Sequence, residues 1–167
     1  MEAYKHLTTS ERLGALKAAL KAGRMRGQIA DMYFNLKEDV RDLFLEGQLQ
    51  AVHVTPLGLC VHDFKVAPCP KLLNCVKACE DYVLDTANKT HINNLVQLQI
   101  RTQLTLGQAV QQQAKHEEDL SENWIAEAEA TLTGVQRILD AAAVKSSDGI
   151  VRPFVGIEVE SSRAADA

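Results

Sequence analysis

The sequence predicts a mainly α-helical fold, with small helices around a cysteine-rich module and a long antiparallel helical hairpin after it. Three observations point there. Apolar residues recur at helical spacing through most of the 167 residues. All four cysteines fall between Cys60 and Cys79, with His62 among them. Aromatic residues make up only 5% of the chain, which argues against a large β-sandwich core.

The length fits one domain, or one domain with a helical arm. The pattern divides it into a helical segment (1–49), a Cys/His module (50–84), the hairpin (88–145) and a C-terminal tail (146–167). Hydrophobic residues at 46% and charged residues at 24% are ordinary for a globular chain. No apolar run approaches the ~20 residues that span a bilayer. No secretory signal is recognisable. The expectation is therefore a cytoplasmic chain with no membrane partner.

The first helix is predicted to start at Thr8, where Thr8 and Glu11 form a capping-box pattern. Leu13, Leu16 and Leu20 give it one apolar face, and Gly23 is placed to end it after Ala22. Residues 27–36 read as a second helix with Ile29, Met32, Tyr33 and Leu36 on one face. Glu38 to Glu46 read as a third, with Val40, Leu43 and Phe44 inward and Gly47 as its stop. Gln50 to Thr55 alternates like a short strand ended by Pro56, and pairs naturally with Leu59–His62 as a small ribbon. His53 reads as a satisfied structural histidine rather than a ligand.

Lys71 to Leu84 reads as helix, which would put Cys75 and Cys79 on one face. Asp85–Asn88 breaks it. His91 to Lys115 carries Ile92, Leu95, Val96, Leu106 and Val110. Trp124 to Val144 carries Trp124, Ala128, Leu132, Val135 and Leu139. The polar turn between them, where Asp119 and Glu122 suit a cap, makes the pair an antiparallel hairpin. Such an arm props the module or docks a partner, a second copy included. Ile150 to Val159 is a candidate terminal strand, and Ser161 to Ala167 an expected disordered end.

The window Cys60-x-His62-x6-Cys69-x5-Cys75-x3-Cys79 carries the chemistry. Zinc takes four Cys or His ligands in a tetrahedron. The four cysteines are the preferred set, with His62 as substitute ligand or supporting partner. Disulfides or plain buried thiols are the alternative, and a cytosolic chain disfavours the disulfides. A site closed by four protein ligands leaves no open position for water or substrate, so an independent enzyme is the least expected class. His6, His91 and His116 have no evident partner. No glycine-rich phosphate loop, Ser/His/Asp set or useful carboxylate pair is present.

Charge is uneven. Residues 1–26 hold Lys5, Arg12, Lys17, Lys21, Arg24 and Arg26 against Glu2 and Glu11, a balance of +4. The chain's net charge is −4, so the remainder carries −8. A basic end suits nucleic acid, and equally a solvated helix face.

The run Tyr4-Lys-His-Leu-Thr-Thr-Ser-Glu-Arg-Leu13 resembles the nucleophile box of tyrosine recombinases. The segments Gly23-Arg-Met-Arg-Gly-Gln-Ile-Ala30, Val52 to Phe64 and Pro68 to Cys79 are similar to the C-terminal extension of large bacterial integrases carried on mobile elements. The likeness runs from residue 2 to about 160. It implies a DNA-recombination protein with Tyr4 in the place of the nucleophile that attacks a DNA phosphate. The basic end adds Lys5, Arg12, Lys17, Arg24 and Arg26 as candidate DNA contacts. The arginines that such an enzyme uses to neutralise the phosphate are not in this chain, which is expected not to cut or join DNA alone. A free-standing zinc-bound interaction module, using its hairpin, is the other expectation.

Overall fold

The structure is a computed structural model and describes residues 8–72, 74–116 and 122–142. Tyr4, Lys5, His6, Asp119, the expected strand at 150–159 and the tail lie outside them. The described chain is mainly helical and contains a four-stranded antiparallel sheet. In order, the elements are α1 (Thr9–Lys21), β1 (Met25–Arg26), α2 (Gln28–Asn35), α3 (Glu38–Gln48), β2 (His53–Thr55), β3 (Gly58–Cys60), β4 (Tyr82–Asp85), α4 (Lys89–His116) and α5 (Glu122–Ala142).

Helix α1 starts as its cap dictates. Thr8 N donates to Glu11 Oε2 at 2.7 Å, and Glu11 N donates to Thr8 Oγ1 at 3.3 Å. The Glu11 carboxyl is held below its usual range by the Thr8 backbone N–H. Gly23, at φ 72°, closes the helix, with its N–H on the Leu20 carbonyl at 2.9 Å. Arg41, from α3, donates to the carbonyls of Leu36 and Phe34 at 3.1 Å each and lies over the Tyr33 ring. That clamp fixes the α2–α3 corner.

The strand order is β1-β4-β3-β2. β2 and β3 form the expected ribbon, pairing His53 with Cys60 and Thr55 with Gly58. β4 lies between β3 and β1 and is buried along its whole length. Its side chains alternate between two cores, as the period of a strand requires. Val83 joins Leu16, Leu20, Met25, Tyr33, Leu45 and Leu59 on the side of α1–α3. Tyr82 and Leu84 join Val76, Ile92, Leu95, Val135 and Ile138 on the side of α4 and α5. The sheet is therefore the middle of three layers. Helices α4 and α5 pack on each other, with Gln99 Nε2 donating to Gln136 Oε1 at 2.6 Å.

Several expectations are corrected. Lys71–Leu84 is not a helix: it is a series of turns that ends in β4. Ala78 and Leu72 sit at positive φ, which an α-helix cannot accommodate. The Tyr-Val-Leu run suits a strand buried on both faces, and such a run has no helical period to betray it. Gly47 lies inside α3, which runs to Gln48 and is capped by Leu49. On α3 the buried residue is Leu45, whereas Leu43 and Val40 face solvent. Met32, Val110 and Trp124 are also exposed. Among the described residues no helix is long and apolar enough to cross a membrane.

Candidate metal centre

Two arms of the sheet carry the cysteines. Cys60 ends β3 and is buried; it pairs across the sheet with Tyr82. Cys79 lies three residues before β4, on a turn closed by Tyr82 N to the Cys79 carbonyl at 3.3 Å. Between them run the turns holding Cys69 and Cys75. Pro70 keeps Cys69 out of helical geometry. The two non-glycine residues at positive φ among the described residues, Leu72 (48°) and Ala78 (54°), both belong to this loop. Such conformations persist where the surroundings impose them, and they concentrate at functional sites.

No disulfide joins the four cysteines. Cys75 lies in the electrostatic field of the other three thiols, Cys60 in that of Cys79 and Cys69, and Cys79 in that of Cys69. Burial pushes the thiols of Cys60, Cys75 and Cys79 up, and neighbouring thiols add to it, as does the Asp81 carboxylate beside Cys60 and Cys79. Backbone N–H groups oppose that. His62 N–H points at the sulfur of Cys60, and the N–H groups of Asp81 and Tyr82 point at that of Cys79. Donors aimed at sulfur favour the thiolate, the form that binds metal.

The loop is braced around His62. Its Nδ1 lies 2.8 Å from Asp81 Oδ2, and its Nε2 lies 2.9 Å from the Ala67 carbonyl. The Ala67 carbonyl, with the Asp81 carboxylate, raises the His62 pKa above the ordinary value. Phe64 contacts both His62, edge to face, and His53, at a tilt, with ring centroids 5.1 and 4.7 Å away. His53 Nε2 is buried with no hydrogen-bond partner among the described residues, which corrects its reading as a satisfied structural histidine. From the helical side, Lys77 pairs with Glu127 of α5. Gly134 lies against the Val76 carbonyl, so close that an added Cβ would overlap it. A cleft of about 390 Å³ reaches Cys75 and Cys79, giving a small ion access.

The donor set is of the chemical kind that zinc takes: four thiols, with backbone donors on the sulfurs of Cys60, Cys75 and Cys79 and an approach from solvent. Among the described residues no three His, Cys, Asp or Glu side chains are gathered to the spacing of one ion's shell. A metal held by these thiols would require the turns at Cys69 and Cys75 to close, a coupling of metal to local folding.

The basic residues singled out by charge do not form one cationic face. Arg24 reaches 3.0 Å from the buried Asp85, the last residue of β4. Arg26 donates to the carbonyls of Gly23 and Met25 at 2.8 Å each and of Ala141 at 3.1 Å. Both act as internal ties, Arg26 joining β1 to the end of α5. Arg12 and Lys17 are half-buried on α1, and Lys21 is paired with Asp42 at 2.8 Å. His91 is fully buried, with neither ring nitrogen partnered among the described residues. Asp81 is the residue that the sequence reading missed. The signal was present, since Asp81 stands two residues after Cys79 as His62 stands two after Cys60. Comparison of the chain with protein-family models, with curated proteins and with solved structures returned no match.

Proposed function

We propose that this chain is a zinc-stabilised, non-catalytic accessory region of a DNA-recombination protein of the integrase-like tyrosine recombinase type. The observation that supports the metal part is that Cys60, Cys69, Cys75 and Cys79 all lie between the end of β3 and the start of β4, with backbone N–H groups aimed at the sulfurs of Cys60 and Cys79. The recombinase part rests on the resemblance around Tyr4 and the Cys-His-Asp-Phe segment. In this reading zinc ties the β3 and β4 arms together and holds the antiparallel hairpin of α4 and α5 at a fixed angle to the sheet. Bound zinc supplies a structural crosslink and no reactive water. Tyr4 acts only when an upstream catalytic domain supplies the phosphate pocket.

Arg24 and Arg26 are committed to internal partners. DNA affinity of this chain then rests on few phosphate contacts. A gel shift over a range of salt tests it. A shallow dependence of binding on salt fits the accessory role, a steep one fits a DNA-gripping module, and no binding to any duplex at low salt removes direct DNA contact.

A second reading, a free-standing zinc-bound interaction module, draws on the hairpin's own surface. Leu104 and Val110 of α4 and Trp124 of α5 are exposed. Concentration-dependent sedimentation without a DNA shift would favour this reading.

A further inference from the structure

We propose that His62 is the positioning residue of the metal centre and not one of its ligands. This rests on the zinc reading above and deepens it. Each of the three segments that His62 joins carries a candidate ligand. His62 itself stands two residues after Cys60, on the continuation of β3. Its Nδ1 meets Asp81, two residues after Cys79, at 2.8 Å. Its Nε2 meets the carbonyl of Ala67, two residues before Cys69, at 2.9 Å.

Both ring nitrogens thus face oxygen atoms at hydrogen-bond distance, and in this arrangement neither is open to an ion. The same two residues also present their backbone N–H groups to sulfur: His62 to Cys60, and Asp81 to Cys79. One side-chain bridge therefore fixes two N–H donors and the start of the Cys69 turn together. The rings of Phe64 and His62 meet edge to face, which limits rotation of His62. A ligand exchange that brought His62 onto the metal would break both contacts and release Asp81. The ligand set that remains is Cys60, Cys69, Cys75 and Cys79. Supporting partners of this kind typically change metal affinity by about 10–100-fold when removed.

The experiment is a cobalt(II) titration of the reduced chain, followed by its visible ligand-field and thiolate charge-transfer bands and by far-UV circular dichroism. The wild-type chain is expected to give a tetrahedral all-thiolate spectrum. His62→Ala should keep those band positions and weaken binding by about 10–100-fold. Asp81→Ala should do the same, and the double variant should be no weaker than either single one, because both break one bridge. Asp81→Asn keeps an acceptor for Nδ1 and should recover part of the affinity, which holds the test open if His62→Ala fails to fold. A shift of the bands in His62→Ala toward those of a changed ligand set, or an unchanged affinity in both alanine variants, would overturn the inference. Absence of any tetrahedral spectrum in the wild-type chain would remove the zinc reading itself, a distinct result.

Discussion

The cysteine loop and the sheet it hangs from are held by different forces. Around β4 nearly every large side chain is buried: Leu16, Leu20, Leu59, Val83, Leu84 and Leu95 are at 0% exposure. In the loop between β3 and β4 the balance reverses. Val66 is 83% exposed and Leu72 86% exposed, and Phe64 is also exposed. Among its described residues, the buried apolar side chains are Val61 and Val76. Apolar burial stabilises the sheet and its helices without assistance. The loop has less of it with which to hold two residues at positive φ, and specific ties brace it: the His62 bridge, the Lys77–Glu127 pair and, on the zinc reading, a metal on the four thiols. Position in the chain does not decide which parts of this molecule are stable alone; the source of the stabilisation does.

The comparison breaks most sharply on metal removal. Chelation of the zinc-loaded chain should abolish amide protection across residues 61–81 while that of α1 and β4 persists. Hydrogen exchange read by mass spectrometry checks this. Leu20→Ala should do the reverse. It empties a site in the first core, costs about 2–5 kcal/mol in denaturant unfolding, and leaves metal affinity in the folded chain unchanged.

Gly134→Ala lies where the two regions meet. The added methyl presses on the Val76 carbonyl, which belongs to the loop and not to the sheet. A cost of about 1–3 kcal/mol is expected, with weaker metal binding, because relief must come from shifting the loop off α5. Thr8→Ala, far from the loop, should cost about 1 kcal/mol through the lost cap and leave the metal untouched.

Acid sharpens the same contrast. Burial lowers the His91 pKa from 6.5, so the folded chain keeps the ring neutral while the unfolded chain takes up a proton. The stability this residue leaves in place is complete above 6.5 and falls away as pH drops through the folded value. His91→Phe should flatten that loss, measured as the change in urea midpoint between neutral pH and about pH 5.

How much of this was legible in the sequence follows from the same physics. The capping box at Thr8 and Glu11 located α1, and Gly23 ended it, because both signals are local. The β2–β3 ribbon was legible from alternation and Pro56. The long stripes of α4 and α5 were legible from their period. β4 was not, since a strand buried on both faces shows no alternation. The inward face of α3 was misread because Leu45 is buried where Leu43 is not, and only the packed partners decide between them. The cysteine window was conspicuous by composition. Its organisation was hidden, because the Asp81 contact to His62 spans 19 positions and appears only when β3 and β4 pair.

The central claim is that the loop is closed by zinc on four thiols. The most direct measurement is the metal content of the reduced chain, purified without added metal and followed through chelation. The account predicts one zinc per chain, removed together with the order of residues 61–81 and restored with it. A chain that holds far less than one zinc, and whose loop keeps its amide protection in the presence of a chelator, would contradict it.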